Sequence, residues 1–406
     1  MTGRAILEFD RMWAELEPIG RDASTGGYRR FAWTAEDREL REWFAGECAR
    51  RGLDLVEDRA GNQWAWWGDP DAAPGRGLVL GSHLDSVPDG GAYDGPLGVL
   101  SALASVDALR DKGVVPARPV AVVNFVDEEG ARFGIACAGS RLITGALTPD
   151  RAGALRDADG VSLADALHAA GRDPGRLGPD DEALRRVGAY VELHIEQGRA
   201  LADLDPDTSV VAIGTGIRPH GRWRLDLPGV ANHAGTTRLE DRQDAMLAAA
   251  GVIIGARTAA ARHGCVATIG RLNIVPGGVN AIPSHVTAWL DARGPDEADV
   301  RAVIADVSGS VAELGGTLTQ DSWTPATAFD GGLVERLRAV LGETTPLLDT
   351  GAGHDAGILA NAGVPTAMLF VRNPTGVSHS PAEFADAADC HRGVGALATV
   401  AENLAG

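Results

Sequence analysis

The stretch Val79-Leu-Gly-Ser-His83-Leu-Asp85-Ser-Val-Pro-Asp-Gly-Gly-Ala-Tyr-Asp94-Gly-Pro96-Leu-Gly-Val-Leu100 decides the fold of this chain. A short apolar run, Leu78 to Leu80, ends in His83 and Asp85, and a Gly-rich loop then delivers Asp94 just before Pro96. Proline opens helices readily, because its fixed φ suits the first turn and its missing N–H is not needed there. Metal-type ligands thus stand at the carboxyl end of a strand, where open α/β sheets place their sites. Residues two apart in a strand point the same way, so Asp85 is expected behind His83, accepting the imidazole N–H that faces away from a metal. Asp94 has two oxygens and can bridge two cations. Taken alone, the stretch reads equally as a polar turn, since Asp and Gly are common there.

Three further strand ends repeat the pattern. Pro119 to Val126 is apolar on both faces, as a central strand of a parallel sheet is, and runs straight into Asp127-Glu128-Glu129-Gly130. Tyr190 to Ile195 carries His194 at its end, followed by Glu196-Gln197-Gly198, and Thr366 to Val371 leads into Gly376-Val-Ser378-His379-Ser-Pro381. A purely structural origin would have to place all these polar groups at one edge by accident. They supply nitrogen and oxygen without thiolate, which suits a pair of divalent ions such as Zn, Mn, Co or Ni. Two such ions can hold a bridging water, lower its pKa and polarise a carbonyl oxygen. A carboxylate outside the metal shell must then take the water's proton. Glu128 and Glu129 are adjacent and cannot point alike along an extended chain, so one can ligate while the other acts as base.

The segments Ala5 to Leu16 and Thr34 to Arg51 have helical periodicity, the second with Thr34 as N-cap and Gly52 past its end; Asn62 to Trp67 alternates like a strand. From Arg222 the pattern changes to strand (Arg222 to Leu227), helix (Arg242 to His263), strand (Val266 to Ile274), strand (Val286 to Ala292), helix (Glu297 to Leu314) and strand (Thr317 to Trp323). That βαββαβ order is the ferredoxin-like split unit. The expected organisation is a doubly wound α/β catalytic domain in two parts, residues 1–214 and 329–406, with an α+β ferredoxin-like domain, 215–328, inserted between them.

At 406 residues, 45% hydrophobic and 23% charged, the chain is globular and long enough for two domains. A formal charge of -19 disfavours nucleic acid and anionic membrane as partners, since both would be repelled, and leaves a small molecule. Arg4, Glu8, Asp10, Arg11 and Glu15 interrupt any secretory apolar core, and no later run is expected to span a bilayer, so a cytoplasmic location is expected. Cys48, Cys137, Cys265 and Cys390 form no C-x-x-C motif and suit a reducing compartment. Lys112 is the only lysine, which disfavours Schiff-base chemistry and a Walker-type phosphate loop.

In its order of motifs the chain resembles the M20 family of metal-dependent amidohydrolases, in the branch of N-carbamoyl-L-amino acid hydrolases, allantoate amidohydrolases and β-ureidopropionases. The resemblance covers essentially the whole chain. It rests on the motifs above together with Asn232-His233-Ala-Gly-Thr-Thr, Val279-Asn280, Asp291-Ala-Arg293 and Gly351-Ala-Gly-His354-Asp355-Ala. It implies that His83, Asp94 and His194 hold one metal and Asp94, Glu129 and His379 the other, or the same set with the single-histidine partners exchanged. Glu128 becomes the general base and Asp85 the carboxylate behind His83, while His194 replaces an acidic ligand of the peptidase members. Gln197, Asn280, Arg293 and His354 match positions that contact substrate. His233 matches a lid histidine that reaches the active site of the other subunit, so the inserted domain is expected to serve as lid and as the interface of a C2 homodimer.

Where relatives read Gln-Arg-Arg or Gln-Arg-Trp, this chain has the slightly longer Arg218-Pro-His220-Gly-Arg222-Trp223, with His220 as the candidate substrate contact. The implied reaction is hydrolysis of a ureido C–N bond in a carboxylate-bearing substrate, the carboxylate meeting Asn280 and the planar fork of Arg293 at one edge of the lid. Two other classes compete: an M20 aminoacylase or peptidase acting on an amide, and a binding protein that has kept the fold. The last would have lost Glu128 or several ligands, and none is lost. Locally, Arg293 reads also as a solvated strand-end charge and His354-Asp355 as a helix cap.

Overall fold

The computed structural model describes residues 3–72 and 77–406 and divides into two compact units, one made of residues up to Gly216 with Ala328–Gly406, the other of Ile217–Thr327. The first unit opens with helices α1 (Gly3–Leu16) and α2 (Ala35–Arg50). At α2 the Thr34 side chain accepts the Asp37 N–H, and Glu36 and Asp37 sit in the first turn, where the helix dipole favours them. Strands β1 (Gln63–Trp67), β2 (Gly77–His83), β3 (Val120–Phe125), β4 (Val187–Ile195) and β5 (Val211–Ile217) follow, with α3 (Pro96–Asp111) and α4 (Ala138–Ile143) among them. The chain next builds β6 (His220–Pro228), β7 (Asn232–His233), α5 (Ala245–Arg262), β8 (Val266–Val275), β9 (Ala281–Ile282), β10 (His285–Arg293), α6 (Glu297–Glu313) and β11 (Thr317–Thr324). It returns to the first unit through α7 (Asp355–Asn361), β12 (Thr366–Val371) and α8 (Ala387–Ala405).

Four parallel strands in the order β3-β2-β4-β12 form the centre of the first unit's sheet. Antiparallel strands flank them, β1 beside β3 and β5 beside β12. Every residue of β2, β3 and β12 is buried, as in strands covered on both faces. The chain winds from β2 outward to β3 and then crosses back to β4 on the other side of β2. Winding therefore reverses between β2 and β4, and the crevice beyond their carboxyl ends is where such sheets bind ligands. His83 closes β2 and His194 is the penultimate residue of β4.

The second unit is an antiparallel sheet in the order β11-β6-β10-β8, covered by α5 and α6. Leu225, Leu227, Val286 and Leu290 from its strands meet Val252, Val300, Val303 and Val307 from its helices. In β6 burial alternates residue by residue, the sign of a sheet with one face in water. Helix α5 begins later than its periodicity indicates, because the Asp244 side chain accepts the N–H groups of Met246 and Leu247 and so caps it there. The sequence reading also runs straight over the two-residue strands β7 and β9, which pair as a ribbon and are too short to show a period.

A second correction concerns α5. With 18 residues and a mean hydropathy of 1.3, it is long and apolar enough, by length and composition, to cross a bilayer. Of that stretch 33% is buried, with Ala245, Ala249, Val252, Ala256 and Ala259 in the core of the second unit, and length and composition alone are shared by helices packed on a core and helices in a membrane.

Candidate active site

Four elements bring acids and imidazoles together at the carboxyl edge of the parallel strands. His83 and His194 are wholly buried, and Asp94 and Glu128 nearly so, an arrangement that requires partners because isolated buried charges are costly. His194 Nε2 lies 3.1 Å and His83 Nε2 3.4 Å from Asp94 Oδ1. On the other side, His379 Nε2 lies 3.5 Å from Asp94 Oδ2 and 3.6 Å from Glu129 Oε1. The atoms able to hold a metal fall into three groups, two of which share Asp94: His83, Asp94 and His194, and Asp94, Glu129 and His379; the third joins Glu128, Glu192, His194 and His354. The remaining ring nitrogens face backbone carbonyls, His83 Nδ1 that of Asp85 at 3.1 Å and His194 Nδ1 that of Ile195 at 2.8 Å. Carbonyls only accept, so both imidazoles carry a proton on Nδ1, which leaves Nε2 as the ring atom turned to the centre.

These residues fit a divalent ion. His83 Nε2 is buried with no hydrogen-bond partner, and the donor set is all nitrogen and oxygen. Charge points the same way. Burial opposes protonation of His83, yet Glu128, Asp85 and Asp94 together hold it well above its ordinary value. Burial likewise opposes ionisation of Asp94, but His194 and His83 hold it well below the usual carboxylate range. Glu129 is pushed well above its ordinary value by burial and by Asp94. The carboxylates outnumber the imidazoles, and a cation between them relieves that excess. Gly95, at φ 87°, is required by the same packing: a Cβ there would stand 2.5 Å from His83 Cε1.

Glu128 is placed differently from Glu129. Its Oε1 lies 3.1 Å from His354 Nδ1 and its Oε2 accepts the Asp355 N–H at 3.0 Å. Burial, with Glu192 and Asp355 adding to it against His83, pushes its carboxyl well above the ordinary value. Burial and His194 keep His354 well below its own, so that ring is neutral. Asp85 stands behind His83, and its backbone carbonyl comes nearer to the ring than its carboxylate does. Strand β2 ends at His83, so the two-residue alternation does not extend to Asp85. The Asp85 carboxylate accepts the N–H groups of Glu128 and Glu129, at 3.1 and 3.0 Å, with Oδ1 3.4 Å from His83 Nδ1. It ties the β2 loop to the β3 loop. Backbone strain gathers in the same place, with positive φ at Asp127, Cys137 and His379.

Gln197 donates from Nε2 to Asp94 Oδ2 at 2.8 Å, and its Oε1 is buried without a partner. Several contributors escape the sequence reading. Glu383 accepts the N–H groups of Tyr93 and Asp94 at 2.9 and 3.0 Å, fixing Asp94 from a loop far along the chain. Burial and Asp94 push its carboxyl up to about 7. Ser140 donates to Asp355, and Glu192 is wholly buried beside His194. An acid inside the apolar strand β4 is a readable signal for Glu192; nothing in the local pattern marks Glu383.

The remaining candidates lie in the second unit. His233 pairs with Ala281 across the β7–β9 ribbon, and the Asn280 carbonyl accepts the Ala234 N–H at 2.9 Å, so His233 and Asn280 come together. His220 pairs with Arg293 across β6 and β10. Its Nδ1 lies 3.0 Å from the Arg218 carbonyl, and burial keeps it below its ordinary value. The expected convergence of Asn280 and Arg293 has a long strand in its way: Asn280 precedes β9, Arg293 closes β10, and the nine residues of β10 alone span roughly 27 Å at about 3.3 Å per residue. Arg293 also directs Nε and Nη2 at its neighbour Asp291, at 2.7 and 3.1 Å.

Comparison with known proteins gives a consistent picture. The model for peptidase family M20/M25/M40 matches residues 79–403. The chain is 39% identical to an N-carbamoyl-L-amino acid amidohydrolase of Geobacillus stearothermophilus, with 97% of each chain covered. It is 32% identical to an allantoate amidohydrolase of Escherichia coli over 99% of this chain and 98% of that one. The crystal structure of a hydantoinase/carbamoylase family amidase from Burkholderia ambifaria matches with a TM-score of 0.81 at 36% identity, covering 99% of this chain and 98% of the other.

Proposed function

The chain belongs to peptidase family M20/M25/M40 and is an amidohydrolase acting on ureido C–N bonds, and we propose that its substrate is a carboxylate-bearing ureido acid, an N-carbamoyl-L-amino acid or allantoate, hydrolysed with release of ammonia. The observation that carries the substrate reading is a pair of buried acceptors without partners, Gln197 Oε1 and His354 Nε2, next to the two donor groups that share Asp94. A ureido group brings several N–H donors to match them, more than a simple amide does.

Two divalent ions, Zn, Mn, Co or Ni, are assigned to the groups His83, Asp94, His194 and Asp94, Glu129, His379. When bound they supply Lewis-acid polarisation of the carbonyl and an acidified water. Glu128 takes the proton of the attacking water and returns it to the leaving nitrogen. Its carboxylate stays oriented because His354 Nδ1 and the Asp355 N–H hold one oxygen each. With its proton on Nδ1, His354 offers the Nε2 lone pair to a substrate N–H.

The second unit, assigned to residues 215–328 between catalytic segments 1–214 and 329–406, is read as the lid and the interface of a C2 homodimer. Support comes from an exposed apolar stripe on α5, with Leu247 and Ile254 respectively 73% and 69% exposed, and from the edge strand β8, where Val266, Leu272 and Val275 face solvent. An apolar stripe beside an open strand edge invites a second copy. The long strand between Asn280 and Arg293 supports sharing of sites, each carboxylate meeting Arg293 of one chain and His233 with Asn280 of the other. Four free cysteines agree with a cytoplasmic location.

Ammonia release from allantoate and from N-carbamoyl-L-amino acids, in protein loaded in turn with Mn, Co, Ni and Zn, tests the reading. N-acetyl-L-amino acids and dipeptides serve as the opposing arm. Turnover of that arm with no ureido acid hydrolysed would transfer the chain to the aminoacylase and peptidase class.

A further inference from the structure

We propose that Glu192 is a positioning residue for the reaction: by receiving the start of α7 it holds in place the two donors that orient Glu128. The inference rests on the reading of Glu128 as base. Glu192 is wholly buried in β4, two residues before His194 and therefore on the same side of the strand. Its Oε1 accepts the hydroxyl of Ser82, the neighbour of His83 in β2, at 2.7 Å. Its Oε2 accepts the Ala356 N–H, in the first turn of α7, at 3.3 Å.

Helix α7 needs such a partner. The first N–H groups of any helix have no acceptor inside it, and His354, at the cap position, makes no side-chain capping bond. The acceptors come from outside the helix instead. Glu128 takes the Asp355 N–H and Glu192 takes the next one, two carboxylates placed where the helix dipole favours negative charge. The donors to Glu128, His354 Nδ1 and the Asp355 N–H, both belong to the start of α7 and move with it. Glu192, clamped on its other oxygen by Ser82, registers that helix end against β2 and β4, the two strands that present His83 and His194. Glu192 also lies within ligand distance of Glu128, His194 and His354, so a role as metal ligand is the competing explanation.

The test compares full-length wild type with Glu192→Gln, Glu192→Ala and Ser82→Ala. N-carbamoyl-L-alanine is the assay substrate, metal content is measured by mass spectrometry, and amide hydrogen exchange of α7 is followed in the metal-free protein. Gln keeps an acceptor for the Ala356 N–H and can donate to Ser82, so kcat is expected to stay within about threefold of wild type. Glu192→Ala is expected to lower kcat ~10- to 100-fold with KM little changed, since misplacement rather than binding is at fault. Its metal content stays at the wild-type level, and the Asp355 and Ala356 amides exchange faster. Ser82→Ala falls between the two. Unchanged exchange in α7, or loss of metal in step with kcat, overturns the proposal. If Glu192→Ala does not fold, identical exchange in wild type, Glu192→Gln and Ser82→Ala overturns it equally. Full activity of Glu128→Gln would remove the base reading, whereas the exchange result judges the contact between Glu192 and α7 by itself.

Discussion

Replacing Glu128 by Gln removes a proton acceptor while leaving volume and shape almost unchanged. A positioned general base is worth about 10²–10⁴ in rate, or roughly 3–5 kcal/mol of barrier at 1.36 kcal/mol per decade. The surroundings of Glu128 add a second effect. The carboxylate accepts on both oxygens, from His354 Nδ1 at 3.1 Å and from the Asp355 N–H at 3.0 Å, whereas the amide has one oxygen. The Asp355 N–H can only donate, so the amide oxygen must turn to it and the NH₂ group must face His354. That ring is kept neutral by burial and by His194, so it can adopt the other tautomer, accepting at Nδ1 and carrying the proton on Nε2. The lone pair offered to a substrate N–H is thereby lost, at about 1 kcal/mol or nearly another decade. Together the expected fall in kcat/KM is about 10³–10⁵-fold. Metal content should not change, because His83, Asp94, His194, Glu129 and His379 are untouched. Steady-state ammonia release and metal analysis on the same preparation read both quantities. Turnover within about tenfold of wild type at full metal occupancy would refute the assignment of Glu128.

Gly95→Ala forces a Cβ to within 2.5 Å of the His83 ring at a φ of 87°, and should weaken metal affinity by about tenfold or more in chelator competition; equal affinity would mean that the loop relaxes freely. Arg293→Lys keeps the charge but loses the fork that spans both Asp291 oxygens, and should raise KM about tenfold for ureido acids. Wild type and variant discriminating equally between the acid and its neutral amide would show that Arg293 is not the carboxylate anchor. Mixing inactive Glu128→Gln with inactive His233→Ala protein should restore part of the activity through heterodimers with one intact site. Verified heterodimers without activity would confine His233 to its own subunit or to no role.

The strand-end motifs were legible because each is local. A buried parallel strand must be apolar on both faces, so the polar residues that end Leu78 to Leu80, Pro119 to Val126, Tyr190 to Ile195 and Thr366 to Val371 stand out, and their N and O character already names the chemistry. The βαββαβ order of the second unit was equally plain from the change of period along the chain. Contacts made by returning loops were not. Glu383 meets Asp94 across nearly the whole length of the chain, and Glu192, Ser82 and Ala356 come from three separate elements, so no spacing records them.

The sequence by itself therefore determined which residues carry metal-type donors and which strands are buried, since these follow from side-chain chemistry and short periods. Tertiary structure alone decided the strand order β3-β2-β4-β12, which sets His83 beside His194 at the reversal of winding. It also decided that Asp85 braces the loop carrying Glu128 and Glu129 while its carbonyl meets the His83 ring, and that the whole of β10 lies between Asn280 and the end of Arg293's strand. Strand order, the turn that ends a strand and the length of an intervening strand are set by the packing of distant segments against one another, and that information is not carried by any single stretch.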